Sequence, residues 1–343
     1  MRRSRWAAGI VGGAIGAVAL AGGWWGEAAP GQMPAAKVLP GTPALGEAKD
    51  PGHFTFVVAG DNRPAKKKDP PSSTVVVKIF RAIRKLQPSF LVMLGDTIFG
   101  KEPDNKQRVD DEYSGFLALA AGAGAPVFNA PGNHEMDDQN DVPNATMQQW
   151  YAATIGPPYS AFSFGNSRFI LLDTEESPPA GTQRAPGAPA EGGKTLDPGY
   201  VSAAQLALLK GDLDANRDKA HVFIFMHHPI KPKDPKAGLD PHSAKQLTDL
   251  FSGYPNVSYV LAAHEHLYFN PQDPANVATV PSRTDPAGPP TYLVSGGAGA
   301  PLNKHTPPAQ GGFHHYLVFQ VAGNQVGVTL VNLDAATAAS SGP

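Results

Sequence analysis

Short apolar runs recur along this chain, and each stops at a carboxylate, an amide or an imidazole. Phe54–Ala59 gives way to Gly60 and Asp61, Phe90–Leu94 to Gly95 and Asp96, and Pro126–Asn129 to Gly132 and Asn133. Val222–Met226 runs into His227, and Val257–Ala262 leads to His264 and His266. Runs this short, rich in Val, Phe, Ile and Leu, read as buried strands. Between the first two, Val76, Ile79, Phe80, Ile83 and Leu86 fall at helical spacing, with Ser72 or Ser73 as the cap and Pro88 as the stop. A polar loop holding Asp104, Asp110 and Asp111 is expected before a second helix that ends near Ala121. Then come a hairpin, Ala161–Phe164 with Arg168–Asp173 joined at Gly165-Asn166, and helices from Ser202 to about Asn216 and over Ser243–Phe251. This order predicts an α/β fold with a largely parallel sheet. Thr291–Val294 and strands near 315–321 and 325–332 are expected to complete a second sheet, so that residues 53–334 form one domain of two packed sheets.

Other stretches break the pattern. Arg2, Arg3 and Arg5 precede a charge-free run, Ala7–Trp25. Residues 1–26 therefore read as an export signal cut near Ala19-Leu20-Ala21 or, left uncut, as a membrane anchor. Either way the body is expected outside the cytoplasm, periplasmic or extracellular. Residues 27–52, rich in Gly, Ala and Pro, are expected to be a flexible tether, and 335–343 a disordered tail. The Pro/Gly-rich segments over about 175–199 and 271–290 are expected to shape specificity, the first as a lid or as a surface insertion.

Composition narrows the chemistry. The net charge is -2, and no basic block in the body is longer than Lys66–Lys68, so no nucleic-acid partner is expected. The chain has no cysteine, which excludes disulfides and thiol chemistry. No Gly-x-Ser-x-Gly elbow points to a serine hydrolase. Ligands of α/β sheets gather at the carboxyl ends of strands, where Asp61, Asp96, Asn133, His227 and His264 all fall. On an extended backbone, His264 and His266 would point to the same side. Carboxylate oxygens mixed with imidazole nitrogens suit Fe, Mn, Zn or Co better than calcium.

Taken together, GDNR (Gly60–Arg63), GDT (Gly95–Thr97), GNHE (Gly132–Glu135), HHP (His227–Pro229) and HEH (His264–His266) resemble the motifs of the calcineurin-like metallophosphoesterase superfamily. The nearest branches are the purple acid phosphatase-like and class III cyclic-nucleotide phosphodiesterase-like ones. The resemblance covers about residues 54–330. It implies a four-layer α/β/β/α sandwich of two mixed sheets flanked by helices, holding one or two transition metals (Fe, Mn or Zn). By resemblance, Asp96 bridges the metals, Asn133, His227 and His264 complete one site, and Asp61 and His266 the other. His134 then donates to the phosphoryl group or protonates the leaving group, and Glu135 orients the loop. Two positions depart from the pattern. Arg63 stands where the family has a metal-binding His, and Phe99 where purple acid phosphatases have a ligating Tyr; neither side chain can ligate a metal. Arg63 is expected to hold a phosphate oxygen instead. The implied activity is hydrolysis of a phosphoric ester by metal-activated water, with a phosphomonoester ahead of a diester. The substrate would be a phosphorylated small molecule or a phosphoprotein. The alternatives are a phosphodiesterase of the same family, or a non-catalytic phosphate- or nucleotide-binding protein on a degenerate scaffold. Membrane contact is expected only through an uncut N-terminal segment.

Overall fold

The computed structural model describes residues 31–69, 73–179, 198–277, 279–285 and 288–335. The expected export signal or anchor, most of the 175–199 stretch and the tail from 336 lie outside the described residues. Among those described, no helix is long and apolar enough to cross a membrane.

The first half of the chain runs β1 (His53–Ala59), α1 (Thr74–Leu86), β2 (Phe90–Met93), α2 (Lys106–Ala121), β3 (Val127–Asn129), α3 (Asn133–Met136), α4 (Ala145–Thr154), β4 (Ser160–Phe164) and β5 (Ser167–Leu171). The second half adds α5 (Ala203–Ala215), β6 (His221–Phe225), α6 (Pro241–Ser252), β7 (Val257–Ala262), β8 (Tyr268–Phe269), β9 (Thr291–Ser295), β10 (His315–Ala322) and β11 (Gln325–Asn332). Ser73 caps α1 by accepting from the Val76 N–H at 3.2 Å. Helix α2 starts earlier than expected. Asn105 caps it, and Asp110 and Asp111 lie on its first turns, where Asp110 pairs with Lys106, rather than in a loop.

Two mixed sheets form, ordered β11-β10-β1-β2-β3 and β4-β5-β6-β7-β9-β8. One expectation fails here. Of the three strands expected to complete the second sheet, only β9 joins it, parallel to β7, whereas β10 lies antiparallel to β1 and brings β11 into the first. A hairpin that follows a long loop can close on either free edge, and local pattern carries no information about which.

The strand period of two sorts side chains into layers. Phe56, Val58, Phe90 and Val92 meet Phe169, Phe223, Phe225 and Tyr259 between the sheets. Val57, Ala59, Leu91 and Met93 face α1, α2 and α4. Ile170, Val222, Ile224 and Val260 face α5 and α6. The result is helix, sheet, sheet, helix. Between the sheets, aromatic rings stand in two facing rows. Phe162, Phe169, Phe223 and Tyr259 share one register across the second sheet, and Phe319, Phe56 and Phe90 share one across the first. Within a row the rings stack, with Phe169 and Phe223 at 5° and Phe56 and Phe319 at 8°. Between rows they meet edge to face, as Phe90 does Phe169 at 4.9 Å and 81°.

One irregularity sets the phase of β7. The register with β6 slips between Val222 and Phe223, so that Val222 pairs with Val257 but Phe223 with Tyr259. Ser258 is thus the extra residue of a bulge. Val257 packs on the helix side, while Tyr259, Leu261 and Ala263 point between the sheets.

Residues 31–52, expected to be a flexible tether, instead run along the neighbouring edges of the two sheets. Ala36 donates to Ala161 beside β4 at 3.0 Å, Leu39 donates to Val127 on β3 at 2.8 Å, and Met33 and Leu39 are buried. Apolar residues among the prolines give this segment something to bury, and an exposed strand edge gives its backbone partners. The 271–290 loop is pinned by buried Arg283, which donates to the carbonyls of Pro255 and Ser258 at the amino end of β7, opposite His264. At Arg283 the loop is therefore tied away from the candidate site, against the expectation that it shapes specificity.

Phe169→Ala removes a ring with aromatic neighbours in both rows and should cost about 3–5 kcal/mol of stability in urea unfolding. A loss below about 1 kcal/mol would mean that the rows do not carry the seam. His315 supplies a pH test. Its buried ring lies 3.0 Å from the Phe313 carbonyl and 3.1 Å from Ser295 Oγ, and burial pushes its pKa down to about 4. The unfolded chain takes up this proton below about pH 6.5, so the stability from a neutral His315 is present above that pH and lost toward pH 4. His315→Gln should lose less stability than the wild type between those limits; equal losses would assign the acid sensitivity to other groups.

Candidate metal centre

Both sheets end at one pocket of about 320 Å³. Asp61 follows β1, Asp96 follows β2 and Asn133 follows β3, all from the first sheet. His227 follows β6, and His264 and His266 follow β7, from the second. The chain turns sharply to deliver them. Seven non-glycine residues among those described have positive φ: Asp61, Asp96, Lys101, Asp141, His264, His266 and Gln87. All but Gln87, which caps α1, belong to this site. Such conformations cost about 1–3 kcal/mol each and persist where the surroundings impose them. They also correct the reading of His264 and His266. Both rings reach the pocket, but from left-handed turns (φ 70° and 53°) rather than from an extended backbone.

Close backbone approach shapes the floor. Gly95 has φ +83°, and a Cβ there would stand 2.6 Å from the Gly132 nitrogen, so the turns after β2 and β3 touch main chain to main chain. At Gly296 a Cβ would fall 2.2 Å from Asp61 Oδ2, inside the cradle of that carboxylate. The fully buried Glu135 ties these turns together. It accepts the N–H groups of Asp96 (2.9 Å), Ile98 (3.1 Å) and Gly132 (2.8 Å), with the N–H and hydroxyl of Thr97. Its oxygens are taken up by the backbone.

Backbone carbonyls also choose the histidine tautomers. His227 Nδ1 lies 2.8 Å from the Leu94 carbonyl and His266 Nδ1 lies 2.6 Å from that of Pro301. A carbonyl only accepts, so these nitrogens carry the protons and each Nε2 keeps its lone pair. Burial lowers His227, takes His264 well below its ordinary pKa and holds His266 at about 4, so all three rings are neutral near pH 7. Around His227 Nε2 lie Asn133 Oδ1 at 3.1 Å, His264 Nδ1 at 3.1 Å and Asp96 Oδ1 at 3.3 Å. Ligands at about 2.0–2.1 Å in a tetrahedral set stand about 3.3 Å from one another, so these spacings fit a shared cation.

The carboxylates need one. Both oxygens of Asp61 are buried without a hydrogen-bond partner, and Asp61, Asp96 and His227 offer ligand atoms all within 4.8 Å of one another. Burial, reinforced by the charge of Asp96, pushes Asp61 well above the usual carboxylate range. Burial acts against ionised Asp96 too, but the cationic forms of His134 and His227 and the permanent charge of Arg63 hold it well below that range. His266 Nε2 faces Asp61 Oδ1 at 3.7 Å. The residues present therefore fit a metal centre, mononuclear or binuclear.

Other side chains surround this set. His228 turns away, with Nδ1 2.7 Å from Glu175 Oε1, and backs His264 with ring centroids 3.9 Å apart. The backbone N–H of His134 donates to Asp96 Oδ1 at 3.1 Å, and its Nδ1 bonds the Phe99 carbonyl, leaving Nε2 toward the pocket, 3.8 Å from Asp96 Oδ2. Arg63 Nε stands 3.5 Å from Asp96 Oδ2. The Arg63 guanidinium lies 5.9 Å from the Phe99 ring, which also neighbours Arg108 at 5.5 Å and His134 at 5.6 Å. The two departures noted in the sequence are thus in contact. Lys101, Asp141, Asp234, Glu265 and Asn303 also line the pocket and went unnoticed in the sequence. For Lys101 a signal existed in its place close behind the GDT turn, and for Glu265 in its place between His264 and His266; for the others only the folded chain supplies one.

A family model described as calcineurin-like phosphoesterase matches residues 54–268. A 3',5'-cyclic adenosine monophosphate phosphodiesterase, CpdA from Pseudomonas aeruginosa, is 28% identical over 163 residues, which are 47% of this chain and 51% of that protein. The chain spans about half the length of that curated relative. Among solved structures, a dimetal phosphatase from Danio rerio superposes with a TM-score of 0.52 at 17% identity, covering 81% of this chain and 98% of that one. GAP50 of Plasmodium, the anchor in the inner membrane complex, gives 0.52 at 13%, covering 82% and 84%. At such identities these two show a shared fold.

Glu135→Gln places amide protons against backbone N–H donors. It should weaken metal binding by about 10–100-fold in a titration, as loss of an outer support does. Unchanged affinity would mean that the turns hold their shape without this carboxylate.

Proposed function

This chain belongs to the calcineurin-like phosphoesterase family, and from that premise we propose that it hydrolyses phosphoric esters, phosphomonoesters ahead of diesters. The observation that carries the reading is the convergence of bare lone pairs from Asp96, Asn133, His227 and His264 beside the unpartnered Asp61. These four residues would hold one metal, and Asp61, Asp96 and His266 a second. When bound, the metal supplies activation of water and neutralisation of phosphoryl charge.

The chain's own residues do the rest. Arg63 lies beside Asp96 with its guanidinium steadied by Phe99, and it can take an equatorial phosphate oxygen through its fork of N–H donors. His134 commits Nδ1 to the Phe99 carbonyl, so only Nε2 can serve the leaving group. As a neutral ring it accepts there; to protonate an alkoxide it must first take a second proton, which an adjacent phosphate dianion favours. The preference for a monoester rests on Arg63, whose permanent charge suits a dianion. The similarity to a cyclic-nucleotide phosphodiesterase supports a diester as the second reading. An exported or membrane-tethered location belongs to the same proposal, supported by the charge-free run after Arg2, Arg3 and Arg5.

The test is metal content per chain together with turnover of 4-nitrophenyl phosphate and bis(4-nitrophenyl) phosphate on one sample. Chelation should abolish turnover, and Asn133→Ala should reduce it more than about 100-fold, beyond the loss of an outer support. Metal-loaded protein that turns over neither ester would sink the proposal in favour of a phosphate- or nucleotide-binding protein.

A further inference from the structure

The amide of Asn133 can sit either way round in its place, with opposite bonding. With nitrogen inward it donates to His227 Nε2 at 3.1 Å and Asp96 Oδ1 at 3.2 Å, and its outward oxygen accepts from Lys101 Nζ at 2.7 Å. With oxygen inward, that oxygen joins the lone pairs of His227, His264 and Asp96, and the outward NH2 faces the ammonium across the same 2.7 Å. Two donors cannot bond each other, so Lys101 is held by Asn133 in the first orientation and repelled by it in the second.

Lys101 is built into this place. Its backbone N–H donates to the His134 carbonyl at 3.1 Å, and Gly100 just before it donates to Glu112 Oε2 at 2.8 Å. Its φ is +57°, and Asp141, with which its ammonium pairs, has φ +58°. Both side chains are largely buried, and both line the pocket with Arg63 and His134. A largely buried ion pair between two strained residues is a weak source of stability, which points to a use other than holding the fold.

Resting on the phosphoesterase reading, we infer that Lys101 is a substrate-anion contact released by metal binding. With the Asn133 oxygen inward, where it would help to hold a cation, the outward NH2 repels the ammonium, and Lys101 exchanges Asn133 for an oxygen of the phosphoryl group, with Asp141 as the competing acceptor. Arg63 and Lys101 then meet the anion together, which selects a dianionic phosphomonoester over a monoanionic diester. Metal and anion become linked through one amide, and such linkage is reciprocal.

The inference makes metal and phosphate affinity move in opposite directions. The experiment titrates Zn²⁺ into metal-stripped full-length protein, then inorganic phosphate into the metal-loaded form, for the wild type, Lys101→Met and Asp141→Asn. Lys101→Met removes both the bond that holds the amide nitrogen-inward and the repulsion in the other state, so it should bind Zn²⁺ more tightly. It should bind phosphate at least about tenfold more weakly, the scale of one charged hydrogen bond. Asp141→Asn frees the ammonium and should tighten phosphate binding. A Lys101→Met protein that loses Zn²⁺ affinity, or keeps wild-type phosphate affinity, overturns the inference, as does an Asp141→Asn protein that binds phosphate more weakly. In turnover, Lys101→Met should lower kcat/KM for 4-nitrophenyl phosphate more than for bis(4-nitrophenyl) phosphate; equal losses count against the selection. If wild-type protein hydrolyses neither ester, the phosphoesterase reading fails, while the two titrations still decide the role of Lys101.

Discussion

Asp61 and Asp96 lie side by side out of reach of water, and two like charges in a medium of low polarisability repel strongly unless a cation is shared between them. Much of the surrounding architecture answers that constraint. Imidazoles are held neutral by burial and aimed by carbonyls, so that they offer lone pairs rather than protons. Glu135 spends its own charge on backbone N–H groups and stays out of the donor set. The strained turns at Asp61, Asp96, His264 and His266 bring these side chains to one place, where a shared cation would offset their cost.

The donor set is also divided between the sheets, with the carboxylates and the amide on one and the imidazoles on the other. Its geometry therefore depends on how the sheets are aligned, and no single strand can correct an error. The two rows of rings supply that alignment. Stacking along a row and edge-to-face contact between rows interlock the two sheets and leave little freedom to slide. A metal held by this donor set would act with the aromatic seam as two fasteners on one joint, the first at its carboxyl end and the second along its length.

The strands and the side chains that the fold gathers at their ends were legible in the sequence because both are local signals: an apolar run, then a polar residue at its end. Even the hairpin at Gly165 and the cap at Ser73 declared themselves this way. What escaped was set by distant contacts. Nothing near Tyr316 or Val328 says that β10 will seek β1, and nothing near Leu39 says that a proline-rich stretch will lie against β3. Asp141 looks like any loop aspartate until the fold brings it to Lys101. His264 and His266 show a subtler failure: the inference that both face the pocket came from an extended backbone that is not there.

The bulge at Ser258 gives β7 two reading frames. Before it, odd-numbered positions address the helices; after it, they address the opposite sheet. The strand enters the turn that carries His264 from the second frame, so the extra residue fixes, upstream, the point from which that turn begins. Lengthening or shortening the chain between Val257 and Ala262 by one position would leave composition and hydrophobicity almost untouched. It would nonetheless force a choice between keeping Val257 under the helices and keeping Leu261 and Ala263 in the seam. Variation along this strand is therefore free in residue type but quantised in length, and homologous sequences should differ there by substitution, with insertions displaced to the loops at either end.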